Sequence, residues 1–150
     1  MRQSHARSPT PSHRAWVSVA LAAYVVTLGF IAFWPTPVDR DLDGTLFHVL
    51  AWLHAHGAPG FLNYSFVERT ANVLLFIPAG LLIALLLPRR LAWVAVLCCV
   101  AVSVTIELGQ GLLLPERFAS IFDVAMNSFG GFIGVLLATA SKRPQDVNAG

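Results

Sequence analysis

The sequence predicts an all-α integral membrane protein: a four-helix bundle with an extracytoplasmic interfacial helix between spans 1 and 2. Three observations lead there. Apolar residues make up 56% of the 150-residue chain and charged residues only 12%, where soluble domains average about 25% charged. The mean hydropathy is +0.67. Four segments approach the roughly 20 mostly apolar residues that a spanning helix needs. Too little charge is present to cover a soluble globule, to keep a chain disordered or to build a basic nucleic-acid face.

The first span is residues 15–34, AWVSVALAAYVVTLGFIAFW. Its apolar run exceeds a signal peptide's apolar region, and no small-residue cleavage pattern follows, so it reads as a signal anchor. The second is residues 71–87, the third residues 91–114 and the fourth residues 121–140. Residues 35–69 form one long loop. Its middle, LDGTLFHVLAWLHAHG, is too short to span. Leu42, Leu46, Val49, Leu50 and Leu53 follow helical spacing, and Trp52 suits interfacial depth.

Lysine and arginine placement sets the orientation. With the N-terminus inside, Arg2, Arg7, Arg14, Arg89, Arg90, Lys142 and Arg143 are cytoplasmic, and Arg40, Arg69 and Arg117 are external. Residues 1–14 are then a disordered cytoplasmic tail, 15–140 the membrane domain and 141–150 a second cytoplasmic tail. The expected location is the cell membrane, multi-pass, with both termini cytoplasmic.

Cys98 and Cys99 are adjacent within an apolar run and read as core filler. His48, His54 and His56 read as interfacial polar groups rather than metal ligands. No cofactor or metal is implied. Asn63-Tyr64-Ser65 matches the short glycosylation sequon.

Function has to be sought in the polar residues. A charged group at the centre of a span costs roughly 2.5–3.5 kcal/mol on insertion scales, so it faces the bundle interior or a wet cavity. Arg69 and Asn72 share a face of the second helix, as do Glu68 and Asn72. Ser103, Glu107 and Gln110 share a face of the third, and Asp123 and Asn127 a face of the fourth. Glu107 stands seven residues before Leu114, about 10 Å deep at 1.5 Å per residue. Arg117 lies in the short outer turn. Three helices thus bring polar residues to the outer half of the bilayer, while the inner sections read LLIALLL, LAWVAVLCCVAV and FIGVLLATA. The expectation is a polar pocket open to the outside: Arg69, Asn72, Glu107, Gln110, Arg117, Asp123 and Asn127. The plainer alternative is a network that glues the helices, with Glu107 on Arg69 or Arg117 and Asp123 on Asn127 and Arg117. Pro78 frees the Leu74 carbonyl and should kink the second span. Gly130 and Gly134 form a small-xxx-small pair that admits close packing within the monomer or a homodimer.

Four stretches together carry a family resemblance: residues 72–80 (NVLLFIPAG), 107–110 (ELGQ), 114–117 (LPER) with Ser120, and 123–131 (DVAMNSFGG) with Gly134. In their order and placement the chain resembles the VanZ-like family over residues 16–140. It departs at Gly111, where the family has a large apolar or aromatic residue, and at Glu116, where glycine is common. The resemblance implies a small integral membrane protein; the family's namesake is linked to resistance to teicoplanin, a lipid-bearing glycopeptide.

The residues leave several functions open. The first is binding or modification of a cell-envelope amphiphile, such as a lipid-linked precursor or a lipoglycopeptide. Arg69 and Arg117 would hold an anionic group and Asn72, Gln110 and Asn127 would supply neutral hydrogen bonds. The second is a hydrolase or transferase on a lipid-linked substrate, with Glu107 as general acid or base and Asp123 orienting a nucleophile. The others are a transporter and an accessory scaffold. The lipid bilayer is the expected partner, and nucleic acid is not.

Overall fold

The computed structural model describes residues 12–33, 43–114 and 120–141. Among them are five α-helices and no strand: α1 His13–Ala32, α2 Asp43–Ala55, α3 Tyr64–Leu86, α4 Ala92–Leu113 and α5 Ile121–Ser141, with a 3-10 turn Arg89–Leu91 before α4. Helices α1, α3, α4 with its preceding turn, and α5 are long and apolar enough to cross a membrane. The chain is a multi-pass membrane protein built on these four. Both chain ends, Trp34 and the turn that carries Arg117 lie outside the described residues.

Local chemistry fixes the boundaries. The Ser12 hydroxyl accepts from the Ala15 amide at the start of α1. The Asn63 side-chain oxygen accepts from the Phe66 amide at 3.0 Å, an N-cap that satisfies one of the donors a helix start leaves unpaired. That cap starts α3 at Tyr64, seven residues before the apolar run at Ala71. Helix α2 is stopped by Gly57, the only described residue with positive φ, at 90°. The Gly57 amide donates to the His54 carbonyl and the Ala58 amide to that of Leu53, a Schellman motif whose geometry favours glycine.

The closest helix pair is α3 with α5, and glycine makes it. An ideal Cβ on Gly80 would lie 2.1 Å from the Gly131 carbonyl oxygen, one on Gly130 2.1 Å from that of Val73, and one on Gly134 2.1 Å from that of Ile77. A Cβ on Gly131 would meet Cys99 Sγ of α4 at 2.7 Å. The small-residue face of α5 is therefore filled within the monomer.

Helix α1 leans on α3. Pro78 sits inside α3 and deprives the Leu74 carbonyl of its donor. At the next carbonyl, Leu75, the Tyr24 hydroxyl of α1 donates a hydrogen bond. A neighbouring helix thus supplies a donor where proline loosens the ladder. Tyr24→Phe should lower stability by about 0.6 kcal/mol and at most about 1.7, the span measured for hydrogen bonds between membrane helices. Thermal unfolding in detergent checks this, and no loss would mean that the contact carries no net energy.

The core is graded along its length. Ala95, Cys99, Ser103 and Glu107 step by four down the buried face of α4. Ala84, Ala95, Val135 and Ala138 pack together near the Leu86 end, and Leu28, Phe76, Ala79 and Cys99 fill the middle. Beyond them the buried side chains turn polar. Cys99 is buried and Cys98 half-buried, and neither is in a disulfide.

Candidate functional site

The polar end is organised around the start of α5. The S-x-x-D pattern of Ser120 and Asp123 is an N-terminal signature, and the Ser120 hydroxyl accepts from the Asp123 amide at 3.3 Å. In a full capping box the acid at the fourth position would reach back to the serine's own amide. Here another helix takes that part: Glu107 Oε2 of α4 accepts from the Ser120 amide at 2.7 Å. Glu107 is only 6% exposed. A buried carboxylate at a helix N-terminus is well placed, since it meets an unpaired donor and the positive end of the helix dipole.

One turn further in, the Asn127 amide nitrogen donates to the Ser103 hydroxyl oxygen at 2.9 Å. Both residues are buried, Ser103 completely. Glu107, Ser120, Ser103 and Asn127 therefore form a polar seam between α4 and α5.

Gln110 does something else. Its amide nitrogen donates 2.8 Å to the Ala32 carbonyl, one of the acceptors that the last turn of α1 leaves without a helical partner. At the opposite end of the bundle Arg14 makes the equivalent contact, donating 3.2 Å to the Leu86 carbonyl at the end of α3. These contacts close helix ends that lipid could not satisfy.

Arg69 lies on the rim. It is exposed, and its guanidinium carbon is 5.3 Å from the centroid of the Phe122 ring, inside cation–π range. Among the described residues no carboxylate pairs with it, so the pairing of Arg69 with Glu107 is not formed. Asn127 likewise goes to Ser103 rather than Asp123. Asn72 and Asp123 are half-buried. Arg117 lies outside the described residues.

Three residues outside the expected set matter here. Ser103 and Ser120 were readable, the first from its four-residue step to Glu107 and the second from its spacing to Asp123. Phe122 had no such signal, being one of many apolar residues in its span. Among the described residues, no group of three or more histidine, cysteine, aspartate and glutamate side chains gathers to hold a metal ion.

The VanZ/LLP1 family model matches residues 20–142, most of the chain, including four of the five helices whole and the larger part of α1. The chain belongs to the VanZ/LLP1 family. No curated protein matches it, and no solved structure does. The VanZ/LLP1 match contains every candidate site residue from Arg69 to Asn127. It leaves out His13 and Arg14, which belong to the other end of the bundle.

Proposed function

We propose that this VanZ/LLP1 membrane protein binds an anionic amphiphile of the cell envelope at the polar end of its bundle. One observation carries the reading: Arg69, a cation without a described carboxylate partner, sits against Phe122 on the exposed rim. Phe122 is 60% exposed, and Ile121, Leu112 and Leu113 beside that end are more so. A guanidinium next to lipid-facing apolar side chains suits a molecule with an anionic headgroup and an acyl tail. Arginine offers phosphate and carboxylate a planar, forked set of donors. Arg117, Asn72 and Asp123 complete the headgroup pocket in this reading, and Glu107 holds its floor by fixing the start of α5.

In this reading the polar end faces the outside of the cell membrane and both termini are cytoplasmic, an orientation supported by the positive-inside bias of the sequence. The lipid-bearing glycopeptide teicoplanin is then a ligand of the right chemistry, as is a polyprenyl phosphate. The test is teicoplanin susceptibility in a sensitive host that expresses the wild type or Arg69→Gln at matched membrane levels. Wild type should protect, and Arg69→Gln should lose most of that protection. A single charge-assisted contact of this kind is worth about 1.5–3 kcal/mol, or roughly 10- to 150-fold in affinity. Equal protection by both would remove Arg69 from the site. Absence of protection by either would exclude teicoplanin and leave the lipid-linked phosphates as ligand class.

A further inference from the structure

Three of the four arginines among the described residues stand at the other end of the bundle. Arg14 lies in the first turn of α1, and Arg89 and Arg90 make the turn from α3 to α4. The Arg14 guanidinium donates to the Leu86 carbonyl, which brings it beside that turn, three residues from Arg89. All three are exposed.

The described acids are elsewhere. Glu68 is in the second turn of α3, Glu107 near the end of α4 and Asp123 in the first turn of α5. All three belong to the polar end. The three arginines have no counter-charge among the described residues, and their exposure leaves them accessible to an anion in the surrounding medium or membrane. Trp93, 60% exposed in the first turn of α4, flanks the turn with a ring suited to the membrane–water boundary.

We infer that Arg14, Arg89 and Arg90 form a headgroup site for an anionic phospholipid, binding its phosphodiester at this end of the bundle. Arg14 is held by Leu86 through one donor and keeps its remaining N–H groups for the phosphate. Bound lipid would then bridge the start of α1 to the α3–α4 turn. The inference concerns the end opposite the amphiphile pocket and stands independently of it.

The full-length protein in detergent, titrated with phosphatidylglycerol or phosphatidylcholine and followed by melting temperature, tests this. Phosphatidylglycerol should raise the melting temperature saturably, and phosphatidylcholine, whose choline cation neutralises the same phosphodiester and is repelled by the arginines, should not. Arginine near an anionic surface strengthens attachment by about fivefold per residue. Arg89→Gln with Arg90→Gln should therefore raise the half-saturating lipid concentration by roughly tenfold or more, with the lipid-free melt unchanged. If the double variant does not accumulate, Arg90→Gln alone should weaken the response about fivefold. Equal stabilisation by both lipids, or a wild-type response from these variants, would overturn the inference. So would a full shift from inorganic phosphate alone, which would assign the arginines to a soluble anion.

Discussion

Replacing Gly134 with leucine should keep the protein from accumulating in the membrane. A Cβ at this position would stand 2.1 Å from the Ile77 carbonyl oxygen and 2.6 Å from the Leu81 nitrogen. Both are backbone atoms of α3, which cannot swing aside as a side chain can. The helices must separate instead, and with them the contacts of Gly80 on Gly131 and of Gly130 on Val73. Even alanine should cost about 1–3 kcal/mol, the usual penalty for overpacking, and leucine more. Gly29 supplies the control. It lies inside α1 with nothing within 4 Å of its ideal Cβ, so Gly29→Ala should be neutral or stabilise by up to about 1 kcal/mol. Membrane yield and melting temperature of the Gly134 and Gly29 variants decide it. Wild-type behaviour of Gly134→Ala would mean that α3 and α5 do not meet as closely as described.

The second large effect concerns Glu107. Glu107→Ala removes the acceptor of the Ser120 amide in a buried setting, which should cost about 1–3 kcal/mol. Glu107→Gln keeps a carbonyl oxygen for that amide and should cost less than about 1 kcal/mol. The two substitutions separate position from charge. If Glu107 only holds α5, the glutamine variant should fold and function, and the alanine variant should be weak in both. If the carboxylate also does chemistry, Glu107→Gln should fold, still bind ligand and lose turnover. The contact that the first outcome rests on is that of Oε2 with the Ser120 amide.

The sequence made the helical spans legible because twenty apolar residues in a row have few other uses. Helix α2 was legible too, since its leucines repeat at helical spacing and Gly57 provides its stop. The start of α3 was not, because hydropathy marks where lipid begins, whereas the helix begins at the Asn63 cap. Periodicity also put Ser103, Glu107 and Gln110 on one face but could not say what that face meets. Glu107 meets the start of α5, and Gln110 meets the end of α1. Both partners are backbone groups at helix termini, and no residue type advertises them in a sequence. The Arg69–Phe122 contact was hidden for a related reason: it joins residues 53 positions apart whose meeting depends on how closely the glycines let α3 and α5 approach.

The central claim, that the polar end takes an anionic headgroup with its tail alongside, is tested most directly by binding. The protein in lipid nanodiscs should be titrated with teicoplanin, with a glycopeptide that lacks the acyl chain and with a polyprenyl phosphate. The account predicts saturable binding of at least one of the two acylated or prenylated probes. It also predicts weak or no binding of the tail-less glycopeptide, and a loss of about tenfold or more on Arg69→Gln. Failure of both lipid-bearing probes to saturate, or binding indifferent to the tail and to Arg69, would contradict it.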